Sequence, residues 1–165
     1  MRRNKNRGYQ QLHVWEDAIQ LYTSISKVMR AFPYELKRVA SQQIASADSV
    51  HRNIAEGYCR RSIREYLNFL NYALGSLGET VSGLHAYRAA GHITKQVFEE
   101  ADGLAYKLEN GLLKLVERLE EKRDQGDWTA TLIVKESNEL YESSGSSTPP
   151  LQYSTTPKHS NEVSS

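Results

Sequence analysis

Three arginines stand close together near the middle of the chain, at Arg60, Arg61 and Arg64. The planar guanidinium group can donate two hydrogen bonds to one phosphate, so clustered arginines favour nucleic-acid binding. A second basic group, Arg2, Arg3, Lys5 and Arg7, stands at the N-terminus. We interpret both groups as candidate phosphate-binding residues. The alternative is a solvated basic corner whose arginines pair with Glu56, Glu65 or the acidic C-terminal residues.

The charge of the chain is unevenly distributed along its 165 residues. Lysine plus arginine (21) nearly balances aspartate plus glutamate (20). Residues 1–123 nevertheless hold 19 basic and 14 acidic side chains, whereas residues 124–165 hold 2 and 6. The mildly basic body favours an anionic partner, although its charge is less dense than the basic stripe of a dedicated DNA-binding domain.

No set of residues with the spacing of a catalytic or metal site accompanies these arginines. Asp48 and His51 have the i, i+3 spacing of metal ligands in di-metal helical bundles, but no second pair follows. The single cysteine, Cys59, excludes an internal disulfide and a Cys-based zinc cluster. Cations beside it can activate the thiol, but a small residue at a turn is the simpler interpretation. The sequence therefore predicts a non-enzymatic protein without a metal or cofactor.

The arginines are predicted to lie between the second and third of four helices. Apolar residues recur at helical spacing in four stretches: Leu12 to Met29, Leu36 to Ile54, Ile63 to Leu84 and Val97 to Leu119. Pro33 ends the first helix, and Gly57 suits the left-handed conformation just past the second. Ser62 with Glu65 predicts a capping box that begins the third helix, expected to be the longest, and Thr94 can cap the fourth. Short connections favour an all-α, antiparallel up-down-up-down four-helix bundle.

Two features of the predicted helices favour contacts between copies of the chain. The third helix carries small residues along one face: Gly75, Gly78, Ser82, Ala86 and Ala89. A glycine inside a helix costs about 1 kcal/mol relative to alanine, which a close helix approach would offset, either inside the bundle or between subunits. The second feature is a set of apolar residues outside the main stripes: Val14, Ala18, Leu21, Val28, Phe69 and Tyr72. An isolated bundle has little use for so broad an apolar face, which favours an oligomer.

We divide the chain into a flexible basic N-terminus at 1–8, the four-helix bundle at 9–123 and an acidic, Ser/Thr/Pro-rich tail at 124–165 that is mostly disordered. Within the tail, a short apolar pattern from Trp128 to Tyr141 either docks on the bundle or on a partner, or is a frayed extension. No stretch approaches the roughly 20 apolar residues of a membrane span, and no signal-peptide pattern follows the basic start. We therefore expect a soluble, cytoplasmic protein.

Five segments of the chain carry a family resemblance through their order and spacing. They are Leu12-His13-Val14-Trp15-Glu16-Asp17-Ala18, Phe32-Pro33 with Glu35-Leu36, Asn53-Ile54-Ala55-Glu56-Gly57, Arg61-Ser62, and Phe69-Leu70 through Ala73-Leu74-Gly75-Ser76-Leu77. Over residues 9 to 122 the chain resembles the four-helix-bundle family of 23S rRNA intervening-sequence proteins. Relatives of that family include the accessory variability determinant (Avd) proteins of diversity-generating retroelements.

The resemblance implies an antiparallel bundle that assembles into a barrel-like homopentamer without known catalytic activity. It also implies nucleic-acid and reverse-transcriptase binding for the Avd branch, whereas the ribosomal-insertion branch has no established biochemical role. One departure concerns the second helix, where many members carry an arginine pair and this chain reads Gln43 to Asp48. Two cations are missing there and an aspartate is added, which weakens the case for nucleic-acid binding through that helix.

Two functions follow as alternatives. The first is a non-enzymatic oligomeric scaffold that binds RNA or DNA, a nucleic-acid-processing protein such as a reverse transcriptase, or both. The second is a protein–protein adaptor that acts through apolar helix faces without a nucleic-acid role. Seven residues of the shared segments are interpreted as structural: Trp15, Pro33, Asn53, Glu56, Gly57, Ser62 and Gly75. Of these, Asn53 and Glu56 are expected to form hydrogen bonds at the helix end or across a subunit interface.

Overall fold

The computed structural model describes residues 8–126, which form four α-helices in an antiparallel bundle. The helices are α1 (His13–Met29), α2 (Lys37–Tyr58), α3 (Ile63–Ala89) and α4 (Lys95–Gln125), with short 3-10 helices at Gly8–Gln11 and Tyr34–Leu36. Each helix packs against the next, and α4 closes the bundle against α1. No strand occurs within residues 8–126. The predicted all-α, up-down-up-down architecture is confirmed for this part of the chain.

The helix ends follow the sequence signals only in part. The Thr94 hydroxyl accepts a hydrogen bond from the Val97 amide at 3.3 Å, as predicted for an N-cap. Ser62 occupies the N-cap position of α3, but its side chain makes no capping hydrogen bond, so the predicted capping box is wrong. The prediction that α3 is the longest helix is also wrong, because α4 has 31 residues against 27. Helix α4 continues until Gly126, whose φ of 71° ends it in the left-handed conformation.

The apolar face of α1 is wider than the predicted stripe. Val14, Ala18 and Leu21 are buried in the core, whereas Trp15 and Tyr22 from the predicted stripe are only half-buried. Helix α1 contacts both α2 and α4, so residues on both sides of one stripe can be covered. The inference that Val14, Ala18 and Leu21 form surplus apolar surface is therefore wrong. Val28 and Phe69 of that set are half-buried, and Tyr72 is exposed.

Polar side chains join α2 to α3 through the middle of the bundle. The Gln43 side-chain amide donates to the Thr80 carbonyl at 2.7 Å, and the Ser46 and Thr80 hydroxyls lie 3.1 Å apart. The Ser76 hydroxyl donates to the Ser49 hydroxyl at 3.0 Å. Because Gln43 and Ser46 are buried, these α2 positions face the neighbouring helix and are removed from any phosphate at the surface.

An ion pair between a buried carboxylate and an exposed ammonium group joins α1 to α4. Asp17 is almost fully buried, and the Lys107 ammonium donates to one of its carboxylate oxygens at 3.1 Å. Burial raises the pKa of the Asp17 carboxyl, and Lys107 opposes that rise. The contact links α1 to α4, and burial of the Asp17 carboxylate imposes a desolvation cost that Lys107 partly offsets.

None of the helices in residues 8–126 has the length and apolar content needed to cross a membrane.

Candidate nucleic-acid interface

The predicted basic residues Arg60, Arg61 and Arg64 lie at one end of the bundle, where α2 turns into α3. Helix α2 ends at Tyr58, and Cys59 follows in a right-handed helical conformation. The Arg60 amide donates to the Gly57 carbonyl at 3.0 Å, and α3 begins at Ile63. The turn is short, so all three arginines belong to one corner. We call Arg60, Arg61 and Arg64 the arginine corner.

The three arginines of the corner differ in their surroundings. The Arg60 guanidinium pairs with the Glu56 carboxylate one turn earlier. It also lies over the Phe69 ring, 4.6 Å from the centroid, in a cation–π contact. Arg61 and Arg64 are exposed and make no ion pair or hydrogen bond with any side chain in residues 8–126. The pairing of the corner with Glu56 is thus present for Arg60, whereas Arg61 and Arg64 present their donors to solvent.

The beginning of the described chain lies against the same corner. A Cβ placed on Gly8 would lie 2.1 Å from the Tyr58 hydroxyl, so the backbone at Gly8 contacts the last residue of α2. Arg2, Arg3, Lys5 and Arg7 precede this point and lie outside the described residues. Gly8, where the described chain begins, therefore lies next to the arginine corner.

Aromatic rings support the corner from beneath. The ring of Tyr58 makes edge contacts with the rings of Tyr9 and Tyr66, at centroid distances of 6.5 and 6.3 Å. Tyr9 in turn contacts Trp15 edge-on at 5.4 Å. Burial raises the pKa of the Tyr66 hydroxyl, which keeps it neutral. The turn thus rests on a packed apolar base.

Gly57 has a packing role that differs from the predicted one. It lies inside α2, is buried, and does not have a positive φ. A Cβ at this position would lie 2.7 Å from Tyr66 Cδ2 and 2.8 Å from Phe69 Cβ. The predicted left-handed helix terminus is wrong, because the glycine is needed where α3 crosses close to α2. This contact also places Phe69 beside Arg60.

The other shared-segment residues occupy different places. Asn53 donates to the Ser49 carbonyl at 2.9 Å, one turn earlier in α2, so its amide is used within the helix and away from the helix end. Trp15 is half-buried against the core, and Pro33 precedes the 3-10 helix between α1 and α2. These positions support the bundle. Trp15 also contacts Tyr9, which packs against Tyr58 next to the arginine corner.

Gly75 and Gly78 of α3 lack the predicted packing partner inside the bundle. Gly75 and Gly78 are exposed, and a Cβ on either would have no neighbouring atom within 4 Å. The interpretation that these glycines serve close helix approach inside the bundle is wrong, since their face of α3 points to solvent. An approach between subunits stays a prediction.

Asp48 and His51, the residues considered as metal ligands, form contacts within α2. Asp48 pairs with both His51, at 3.1 Å, and Arg52. No group of three or more His, Cys, Asp or Glu side chains that could hold a metal ion occurs within residues 8–126. Cys59 is exposed at the corner. Trp128 to Tyr141 and the rest of the acidic tail lie outside the described residues.

Sequence reasoning missed Phe69 as the ring beneath Arg60. Phe69 follows Arg60 by nine residues and lies on the next helix, so no local spacing links them. The one signal in the sequence is the apolar position of Phe69 beside the predicted core stripe of α3.

These features define a class of protein: an antiparallel four-helix bundle with an exposed basic corner. The chain belongs to the family of 23S rRNA-intervening sequence proteins, whose sequence model matches residues 10–114. The bundle is similar to the crystal structure of a protein of unknown function from the S23 ribosomal protein family of Bacteroides thetaiotaomicron. The two chains are 22% identical, with a TM-score of 0.60 over 63% of this chain and 95% of that one, which is a likeness of fold. No curated protein matches the sequence.

Proposed function

We propose that this protein is a non-enzymatic, oligomeric helical scaffold that binds nucleic acid at the arginine corner. The observation that carries the proposal is the exposure of Arg61 and Arg64 without a carboxylate partner in residues 8–126. The basic segment that holds Arg2, Arg3, Lys5 and Arg7 joins the bundle at the same corner, through Gly8. The first described residue after this basic segment, Gly8, thus contacts the end of α2 beside the arginine corner.

The arginine corner favours contact with the sugar–phosphate backbone. Each free guanidinium donates in a fork that matches phosphate oxygens, and each contact releases condensed counterions. Such contacts position a nucleic acid without reading its bases. The corner is therefore suited to the phosphates of a structured RNA or DNA.

Assembly into an oligomer would strengthen this weak site. Each subunit would repeat the corner, and linked sites raise the apparent affinity without new contacts. The exposed glycines of α3 and the exposed Tyr72, Tyr106 and Leu113, which are 60%, 46% and 50% accessible, support a subunit interface along α3 and α4. The family resemblance extends this proposal to a homopentamer, to a reverse transcriptase as protein partner and to a cytoplasmic location.

The proposal is tested by RNA binding of the full chain. We expect affinity for a labelled RNA hairpin, measured by fluorescence anisotropy, to fall steeply with salt. The double variant Arg61→Gln/Arg64→Gln should flatten the slope of log K against log salt by about 0.9 for each duplex phosphate that the two arginines neutralise in the original protein. Arg52→Gln/Lys95→Gln is the matched control, because it removes the same charge from side chains that are paired with Asp48 and Glu99.

The adaptor function is the second candidate, favoured by the exposed Tyr72, Tyr106 and Leu113. Hairpin binding that is independent of salt, or equally weakened binding in both double variants, would contradict the arginine corner as the binding site and favour the adaptor. Light scattering of the same samples tests the assembly. A monomer at all concentrations would overturn the proposed oligomer.

A further inference from the structure

A groove lies at the opposite end of the bundle, where α1 turns into α2. Its volume is about 400 Å³, within the roughly 300–1,000 Å³ range of small-molecule sites. Met29, Phe32 and Ile44 supply apolar walls. Tyr34 also lines the groove and is 82% exposed, the most accessible large apolar side chain in the described residues. An aromatic ring with so little cover has a free face.

The groove is cationic as well as aromatic. Arg30 and Lys37 line it, and none of its lining residues is acidic. Neither cation makes an ion pair with a carboxylate in the described part of the chain, and Glu35 in the same connection does not pair with them. The Lys37 ammonium lies 5.7 Å from the centroid of the Tyr34 ring. Positive charge thus borders both the groove and its exposed ring.

We propose that this groove binds an unpaired base of a single-stranded RNA, with Tyr34 as the stacking ring and Arg30 and Lys37 on the flanking phosphates. Sites for single strands combine a positive groove along the backbone with aromatic side chains on which bases stack. Both components occur here within the connection from α1 to α2 and the first turns of α2. The inference rests on the proposed nucleic-acid function but uses a different surface.

Charge complementarity decides between the occupants of this groove. An apolar side chain from a second copy of the bundle would fill the groove but leave Arg30 and Lys37 beside its rim without an anion. A nucleotide supplies an aromatic base and a phosphate together, which matches both features. A base inside a duplex is already stacked and cannot enter the groove, so the site selects unpaired bases.

Substitution of Tyr34 tests the stacking contact. The probe is a labelled oligouridylate of about 12 nucleotides, a length within the range of single-strand sites. We expect Tyr34→Ala to weaken binding about tenfold, because stacking of one base on an aromatic ring has that order of effect. Tyr34→Phe keeps the ring and should bind within about twofold of the original protein. Since Tyr34 is exposed, neither variant should change the thermal unfolding midpoint.

Substitution of the two cations tests the phosphate contacts. Arg30→Gln/Lys37→Gln should flatten the salt slope for the oligouridylate by about 0.7 for each phosphate that these side chains neutralise in the original protein. The Arg52→Gln/Lys95→Gln variant again controls for net charge. Ultraviolet cross-linking with 5-bromouridine in the same oligomer should label the peptide that contains Tyr34, as read by mass spectrometry.

The outcomes separate the groove from the arginine corner. Equal binding by Tyr34→Ala and the original protein, with cross-links elsewhere, overturns the groove site, and the corner is then judged by the hairpin alone. A Tyr34→Ala variant that changes the oligomeric state while oligouridylate affinity is unchanged shows that a second copy occupies the groove, and this also overturns the proposal. Tyr34-dependent oligouridylate binding that survives Arg61→Gln/Arg64→Gln supports the groove even where the corner fails.

Discussion

The two ends of the bundle use their cations in different ways. At the arginine corner, Arg60 is held by Glu56 and the Phe69 ring, whereas Arg61 and Arg64 are unpaired in the described residues. At the groove between α1 and α2, Arg30 and Lys37 are unpaired and border an exposed aromatic ring. The net charge of +1 gives no indication of this difference in cation pairing between the two ends. The partners of each cation, more than the total charge, indicate where phosphate can bind.

The largest expected effect comes from filling the close contact beneath the arginine corner. Gly57→Ala places a Cβ 2.7 Å from Tyr66 and 2.8 Å from Phe69 Cβ, so α3 must move away from α2. We expect the free energy of unfolding to fall by about 1–3 kcal/mol, the usual cost of overpacking. The measurement is urea unfolding followed by circular dichroism.

Gly57→Ala also distinguishes RNA binding at the arginine corner from RNA binding at the groove between α1 and α2. Arg64 lies in the first turn of α3, so displacement of this helix should weaken hairpin binding at the corner while oligouridylate binding at the distant groove stays unchanged. Gly75→Ala is the control for the effect on stability, because within one subunit the same methyl group meets no atom within 4 Å. Unchanged stability of Gly57→Ala would mean that the close α2–α3 crossing is not needed to hold the corner.

Most of the bundle is predictable from the sequence because burial follows helical spacing. The apolar positions assigned to α2, α3 and α4 are buried or half-buried, and Thr94 caps α4 as expected. The predictions fail at positions where a neighbouring helix determines which residues are buried or closely packed. In α1 two adjacent stripes are both apolar, and spacing alone cannot tell which one faces the core. At Gly57 the local pattern predicts a helix terminus, because the true constraint comes from α3 and leaves no local signal.

The candidate sites are predictable only where their residues are close in sequence. The arginine corner spans five residues and is visible in the composition of that segment. The contact of Gly8 with Tyr58 joins distant parts of the chain and cannot be inferred from spacing. The groove combines residues from the end of α1, the connection and α2, and Arg30 and Lys37 do not stand out in sequence. Only the fold shows which cations lack a carboxylate partner.

The second expected effect concerns the face of α3 that runs between the two ends. In a single subunit, Gly75→Ala/Gly78→Ala should stabilise the exposed helix by up to about 1 kcal/mol per site, because alanine is the better helix former. If subunits approach along this face, the two methyl groups should instead obstruct the interface. We expect light scattering to show a smaller assembly than that of the original protein. An assembly of unchanged size with increased stability would exclude a close subunit contact at these glycines.

The smallest expected effect tests whether the ion pair with Glu56 keeps Arg60 from binding phosphate. Glu56→Gln should release Arg60 from its ion pair and add a third free guanidinium to the arginine corner. An exposed ion pair is worth about 0.2–1 kcal/mol, so stability should fall by no more than that, and hairpin affinity should rise by about two- to fivefold. The hairpin salt slope should steepen by about 0.9 if Arg60 then binds a phosphate.

Glu65→Gln is the matched control for Glu56→Gln. It removes the same charge near the corner, but Glu65 makes no ion pair with any described residue. An increase in hairpin affinity that is larger for Glu56→Gln, with the oligouridylate affinity unchanged in both, would show that release of Arg60 matters beyond net charge. Equal increases in the two variants would mean that the hairpin senses only the summed field of the corner, and the contrast between paired and unpaired arginines would then not explain binding at this end.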